Sequence, residues 1–377
     1  MPLPSRVLDA GCGTGVISVA LAAALDDPNG PEATVRAQDR DELARAFTAA
    51  AARANKLEGI VRSRCEPLLS RDGDERFGLI VSNLPAKAGP AVLRSFFMDS
   101  ARMLDKAGFC AVVIVNTLAP DARAWLAESG ASVIRETRGK EHTVIQYGPS
   151  PESGAAKGGP VDPWAQGSPY LRAKGRFELL GAEYGIEAIH GAGGFDERGR
   201  EATVAARLLD KLGLDAMLGR AEPIRAIIFG NDQGHFPVWL AAAAVQRSLR
   251  LPLFTLLSRN TLSLTASAHN LRITGGRTPE EAHLSVDFGF APAVVPGGMG
   301  DFDLAVAFPE IVPLHAWAGD VWSAAARLVK VGGLFVLAVS SSEAERFDRV
   351  KTGPFNRAGD VKREGFRALA YRRTDRQ

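Results

Sequence analysis

Two short segments of this 377-residue chain group residue types that could do chemistry. The first is Asp9-Ala10-Gly11-Cys12-Gly13-Thr14-Gly15, an acid followed by glycines at every second position, set between the apolar Val7-Leu8 and the Ala-rich run Val16 to Leu25. Glycines let a backbone turn sharply and approach a ligand closely. A second acid, Asp39, ends the next apolar run, where a carboxylate reaches the ribose hydroxyls of a ligand held at such a loop; Asp also favours helix N-caps, so that role is open to it too. The second segment is Ser82-Asn83-Leu84-Pro85-Ala86-Lys87-Ala88-Gly89, directly after the apolar Leu79-Ile80-Val81. A GxGxG loop by itself is a weak signal, since nicotinamide enzymes use a similar device, but their fingerprint spaces the glycines as GxGxxG and this chain does not.

The elements that must position these residues alternate strand, loop and helix: Val7-Leu8 then Val16 to Leu25, Thr34 to Gln38 then Glu42 to Asn55, and Leu79 to Ser82 then Val92 to Leu104. Apolar strands alternating with helices imply a parallel sheet covered on both faces, of the doubly wound α/β class, with ligands at the carboxyl ends of the strands. An antiparallel pair, Ser132 to Glu136 with Thr143 to Tyr147, is expected to close the unit.

The pattern occurs twice. Arg6-Val7-Leu8-Asp9-Ala10-Gly11-Cys12-Gly13 corresponds to Arg225-Ala226-Ile227-Ile228-Phe229-Gly230-Asn231-Asp232, and the 28 positions from Gly11 to Asp39 equal the 28 from Gly230 to Ser258. Phe77 to Gly108 and Phe302 to Gly333 both span 31. Residues about 149–175, rich in Gly, Pro and Ser, read as a linker on which Trp164 and Tyr170 pin the chain to a domain surface. The expected domains are therefore 1–148 and 176–377.

Val7 to Gly15 resembles the first motif of class I S-adenosylmethionine-dependent methyltransferases. Ser82 to Gly89 is similar to the Asn-Pro-Pro-aromatic motif of the amino-group enzymes, with the downstream Gly placed as in the ribosomal RNA small-subunit guanine-N2 methyltransferases of the methyltransferase small domain family. These are themselves tandem duplications with one degenerate copy. The resemblance implies two tandem Rossmann-like methyltransferase domains with S-adenosylmethionine as cofactor. It places Asp9, Gly11, Gly13, Gly15 and Asp39 on the methionine and ribose ends, and Glu66 at the adenine amine, although Glu66 also reads as a surface charge. Asn83 and Pro85 take the catalytic place, with the Asn side chain and the following carbonyl accepting hydrogen bonds from an exocyclic amine. The expected substrate is guanine in ribosomal RNA. Leu84 and Ala86 depart from the motif, and Ala86 removes the aromatic that would stack on a base; Phe96 or Phe97 are read as core residues able to offer a substitute face.

In the second copy Ile228, Asp232, Ser258 and Phe308 stand for Asp9, Gly13, Asp39 and Asn83, so it reads as a degenerate domain kept for packing or recognition. It has a lead-in, Gly185 through Phe195-Asp196 to Leu209, that would help to roof a pocket. The first copy has none: the roof then comes from elsewhere, or the true start lies upstream, or the copy is impaired.

Composition narrows the classes. Hydrophobic residues make up 46% and charged residues 23%, which excludes wholesale disorder. No apolar run is long enough for a membrane span, the net charge of +2 names no partner, and the three isolated cysteines, Cys12, Cys65 and Cys110, offer neither a disulfide framework nor a metal site. His235 and His315 read as structural histidines and His142 as a surface strand residue, and no metal is expected. A cytoplasmic protein is expected, its oligomeric state undetermined. Two other readings stay open: a methyltransferase for a small molecule or protein, and a non-catalytic cofactor-binding or scaffold protein.

Overall fold

The computed structural model describes residues 3–70, 74–151, 162–194, 197–230, 232–275, 279, 281–284, 300–312 and 316–375. Phe195, Asp196, His315 and residues 152–161 of the 149–175 stretch, which include Gly158-Gly159-Pro160, lie outside the described residues. The chain divides into two compact units, Met1–Leu171 and Arg172–Gln377.

The first unit runs β1 (Arg6–Ala10), α1 (Val16–Leu25), β2 (Thr34–Asp39), α2 (Glu42–Ala54), β3 (Val61–Cys65), β4 (Phe77–Asn83), α3 (Pro90–Met103), β5 (Leu104–Val115), α4 (Ala119–Ser129), β6 (Val133–Arg138) and β7 (His142–Tyr147). Its seven strands lie in the order β3-β2-β1-β4-β5-β7-β6. β1 to β5 are parallel, and β7 runs antiparallel to β5 and β6, as the closing pair in the sequence required. The order reverses at β1, beside which β2 and β4 lie, so the carboxyl ends of these three strands form the switch-point crevice.

The second unit is entered through a hairpin, β8 (Leu171–Leu179) and β9 (Ala182–Ile189), joined by Leu180 and Gly181 at φ of 54° and 76°, the positive values a two-residue turn needs. There follow α5 (Arg200–Lys211), α6 (Leu214–Leu218), β10 (Arg225–Phe229), α7 (His235–Gln246), β11 (Leu253–Ser258), α8 (Thr261–Gly275), β12 (Glu281–Leu284), β13 (Phe302–Ala307), α9 (Trp317–Leu328), β14 (Val329–Ser340), α10 (Ser341–Arg349), β15 (Phe355–Arg363) and β16 (Phe366–Arg373). The strand order β12-β11-β10-β13-β14-β16-β15 repeats that of the first unit.

The repetition extends to register. Arg6 pairs with Thr34 and Arg225 with Leu253. An irregularity between Phe77 and Leu79, opposite Leu104 and Phe109, recurs between Phe302 and Leu304, opposite Val329 and Leu334. Gly108 and Gly333 sit at these bulges, where a side-chain carbon would meet Phe77 O at 2.9 Å and Phe302 O at 3.0 Å. The matched glycines in the sequence thus mark a close backbone approach.

The cores follow from the apolar strands. Val7, Val35, Ala37 and Leu79 of the first sheet pack with Ala22 and Ala52 of α1 and α2. In the second unit one face carries Ile228, Val336 and Ala368 against α5 and α7, and the other carries Ile227, Phe335 and Leu369 against α9 and α10.

Candidate cofactor and acceptor site

In the first unit the backbone N–H groups of Gly11 and Cys12 both donate to Gln38 O, at 2.8 and 3.0 Å, strapping the glycine loop to the end of β2. Gly13 N–H donates to Asp39 Oδ2 at 3.1 Å, and Asp41 N–H donates to Asp39 Oδ1 at 3.0 Å. The helix-cap role open to Asp39 in the sequence belongs to Asp41, whose carboxylate accepts from Leu43 N–H at 2.9 Å at the start of α2.

The three glycines have different reasons to be glycine. All have positive φ, 79° at Gly11, 54° at Gly13 and 82° at Gly15. A side-chain carbon at Gly15 would lie 2.7 Å from Thr48 Oγ1 and 2.9 Å from Thr48 Cα, so α2 packing excludes one. At Gly11 it would meet Leu68 Cδ2 at 3.3 Å. At Gly13 nothing among the described residues stands within 4 Å. Gly13 therefore faces open space beside the Asp39 carboxylate, a cradle that a side chain would fill.

Asp9 lies beneath this cradle. It is buried and accepts a 2.5 Å hydrogen bond from Ser18 Oγ in α1, and burial pushes its carboxyl up to about 6. Glu66 accepts from Arg36 Nη2 at 2.6 Å. The buried Arg36 also bonds Glu75 and donates to Ser70 O at 2.9 Å, while Gln38 Nε2 donates to Pro67 O at 2.9 Å and Leu68 O at 2.7 Å. Arg36 and Gln38 thereby hold the 66–70 loop, which brings Leu68 over Gly11. Sequence reasoning missed both, although two long polar residues inside the buried run Val35-Arg36-Ala37-Gln38 were the available signal.

Asn83 ends β4 with its side chain exposed and making no hydrogen bond among the described residues. Asp9 pairs with Val81, which sets Asn83 level with Gly11, and Ser82 Oγ donates to Ala10 O at 2.6 Å to join the two strand ends. Pro85 and Lys87 are exposed, whereas Leu84 is buried. Phe96 and Phe97 are buried in α3, so neither offers the substitute stacking face; their place is the core, where Phe97 meets Tyr147 with ring centroids 5.8 Å apart. The structure thus gathers Gly11, Gly13, Asp39 and Asn83 at the carboxyl edge. It puts Asp9 and Gly15 under them, with Glu66 on the neighbouring loop.

Residues 2–145 match the family model of the methyltransferase small domain. The whole chain is similar to the solved T. thermophilus 16S rRNA N2 G1207 methyltransferase in complex with AdoMet and guanosine, at 20% identity, over 99% of this chain and 89% of that one, with a TM-score of 0.66. The fold is that of the methyltransferases. A ribosomal protein L11 methylase from Lactobacillus delbrueckii subsp. bulgaricus aligns with 40% of this chain and 72% of its own, at 21% identity and a TM-score of 0.33. No curated protein sequence matches.

The second methyltransferase-fold unit differs at the same edge. A cavity of about 370 Å³ lies there, lined by Gly194, Glu201, Asp232, Phe236, Phe308 and Phe366 among others. Asp232 Oδ1 accepts from the Gly234 and His235 N–H groups at 3.0 and 3.2 Å, and burial pushes its carboxyl up to about 6. The lead-in supplies Gly193, Gly194, Glu201 and Ala202, so it borders this pocket as expected. It also covers α7, whose residues His235 to Ala244 are all buried, while the equivalent α1 leaves Val16 and Ile17 73% and 38% exposed. His235 is a core residue with Nδ1 3.4 Å from Tyr184 Oη, pushed down to about 4 by burial. His142 is an exposed residue of β7. Among the described residues no cluster of three potential metal ligands occurs, and no helix is long and apolar enough to cross a membrane.

Proposed function

We propose that this chain is an S-adenosylmethionine-dependent methyltransferase that modifies an exocyclic amine, that of guanine in ribosomal RNA. The observation that carries the reading is the open cradle at Gly13 beside the Asp39 carboxylate, with the unengaged Asn83 amide level with the same loop. Gly11, Gly13 and Asp39 are the residues that would hold the cofactor, which supplies a methyl group on its own positively charged sulfur.

Asn83 does the positioning. Its side-chain carbonyl oxygen accepts a hydrogen bond from the amine and, with the Leu84 carbonyl, turns the nitrogen lone pair toward the methyl donor; orientation of this kind supplies several kcal/mol without a strong base. Asp9 acts as a positioning residue, through the bond to Ser18 that fixes the first turn of α1 behind the loop. Glu66 and Arg36 set the 66–70 wall on the adenine side. The T. thermophilus protein, whose name makes it an rRNA guanine-N2 enzyme, supports the substrate. A small-molecule acceptor is the second reading, favoured by Ala86 and by the burial of Phe96 and Phe97, which leave no stacking ring from these positions.

The test is Asn83→Ala. Transfer of labelled methyl to small-subunit ribosomal RNA should fall at least ~100-fold, about 2.7 kcal/mol, with calorimetric affinity for S-adenosylmethionine within twofold of the parent. Unchanged turnover removes Asn83 from the mechanism. Transfer to free guanosine as efficient as to RNA moves the protein to the second reading.

A further inference from the structure

The second unit carries a concentrated positive site that the chemistry above does not use. Arg198, Arg200, Arg207 and Arg363 surround a cavity of about 230 Å³ together with Thr203, Val204 and Glu364. Four arginines thus line the cavity with one glutamate. Glu364 is shared by the two exposed arginines, 3.0 Å from Arg363 Nε and 4.0 Å from Arg200 Nε. Arg198 is held in place by neutral partners, donating from Nε to Thr203 Oγ1 at 3.0 Å and from Nη1 to Glu178 O at 2.6 Å. Arg207 Nε is buried and has no acceptor among the described residues.

Like charges around one small cavity repel, and a buried donor without an acceptor is destabilising. Both costs are relieved when an anion with several acceptor oxygens enters. A phosphate matches the planar fork of arginine in a way that a single carboxylate does not. Arg200, Thr203 and Arg207 follow one another at i, i+3 and i+7 on α5, so helix periodicity brings them to one side.

What surrounds the site selects the kind of phosphate. The intervening residues Glu201 and Ala202 of α5 line the 370 Å³ cavity with Phe236, Phe308 and Phe366. The Arg200 guanidinium stands 5.9 Å from the centroid of the Phe366 ring, so the two cavities adjoin at this pair. One side offers guanidinium donors, the other aromatic rings and the acceptor oxygens of Asp232 and Glu201. Unpaired nucleotides present that combination of groups, with a charged backbone, a flat ring and amino hydrogens.

We propose that the second unit grips the phosphate backbone of single-stranded RNA at Arg198, Arg200, Arg207 and Arg363, with the adjoining aromatic cavity receiving an unstacked base. The proposal rests on the RNA substrate proposed above and gives the degenerate unit the task of holding that substrate.

Fluorescence anisotropy of the full chain with a labelled single-stranded RNA of about 12 nucleotides, titrated at several salt concentrations, tests it. Arg207→Ala, and separately the exposed pair Arg200→Ala with Arg363→Ala, should weaken binding about 5–10-fold and reduce the slope of log K against log salt by ~0.7 for each phosphate that is no longer neutralised. Arg346→Ala, on α10 against the opposite face of the sheet, should leave the slope unchanged. Thermal melting checks folding, and the exposed pair keeps the test valid if Arg207→Ala unfolds. Parent affinity and slope in the folded variants overturn the proposal. So does a response of the site to inorganic phosphate alone, with RNA affinity unaltered by the variants. Calorimetry with S-adenosylmethionine on the same samples separates the two levels. A chain that binds the cofactor and no RNA loses this site and the RNA substrate, while a chain that binds RNA at these arginines and no cofactor loses the methyltransferase reading instead.

Discussion

Gly13→Ala and Gly15→Ala should part company, although the sequence presents the two glycines as equivalent. Each needs a left-handed backbone, which costs an alanine roughly 1–2 kcal/mol. At Gly13 that is the whole expense, since the new methyl meets nothing within 4 Å among the described residues. At Gly15 the methyl lies 2.7 Å from Thr48 Oγ1 and 2.9 Å from Thr48 Cα and Cγ2, and overpacking of this kind adds ~1–3 kcal/mol. Gly15→Ala should therefore destabilise the first unit by about 2–5 kcal/mol and Gly13→Ala by about 1–2 kcal/mol. Cofactor affinity should fall in the opposite order, because only the Gly13 methyl occupies the open cradle.

A unit-specific probe is built into the chain. All three cysteines lie in the first unit, Cys12 and Cys110 are buried, and burial pushes both thiols up to about 12. Pulsed thiol labelling across a urea series thus reads the stability of the first unit without signal from the second, while calorimetry of the folded variants reads cofactor affinity. Equal destabilisation of the two variants would refute the assignment of Gly15 to helix packing. Undiminished cofactor binding by Gly13→Ala would refute the cradle. Thr48→Ala placed on Gly15→Ala should restore only part of the stability, since Thr48 Cα stays 2.9 Å from the methyl.

Two further outcomes follow from buried charge. Asp9 rises from 3.8 to about 6 on folding, so between about pH 4 and 6 the folded unit binds more proton than the unfolded chain. Its stability then falls as pH rises through 6, by roughly 3 kcal/mol at 1.36 kcal/mol per unit. Asp9→Asn should flatten that slope and raise the labelling midpoint at pH 7, and an unchanged slope would show that Asp9 is not its source. Arg36→Met should cost about 1–3 kcal/mol, less than a fully buried pair because Glu66 and Glu75 are about a third exposed and can rehydrate. It should also weaken cofactor binding by loosening the 66–70 loop; a variant as stable as the parent would show that the Arg36 ion pairs contribute nothing.

The duplication was legible in the sequence because parallel strands are buried on both faces. Such strands need short continuous apolar runs, and equal spacings between runs survive only when the packing that joins them is the same. The 28-residue interval became the Arg6–Thr34 and Arg225–Leu253 registers, and the matched Gly108 and Gly333 became a repeated bulge. The gathering of Gly11, Gly13, Asp39 and Asn83 at one sheet edge was legible to the same depth, since loop glycines and strand-end polar residues are local signals. The Arg36 and Gln38 bonds were not, because their partners lie about 30 residues away on a loop with no periodicity. Nor could the cavity of the second unit be read, although the residues that replace Asp9, Gly13, Asp39 and Asn83 are plain in the chain.

By itself, then, the sequence determined the class of sheet, the two copies, the loop at the switch point and which copy keeps the acids and the amide. These rest on contacts between near neighbours in the chain or on burial, both of which leave a pattern in residue type and spacing. Only the tertiary structure decided that Gly15 answers to Thr48 while Gly13 faces open space, that Asp41 rather than Asp39 caps α2, and that Arg200 and Arg207 of α5 meet Arg198 and Arg363 beside an aromatic cavity. Each of these depends on which distant side chain arrives at a given point, and the direction and distance of that arrival are properties of packing that no local run of residues encodes.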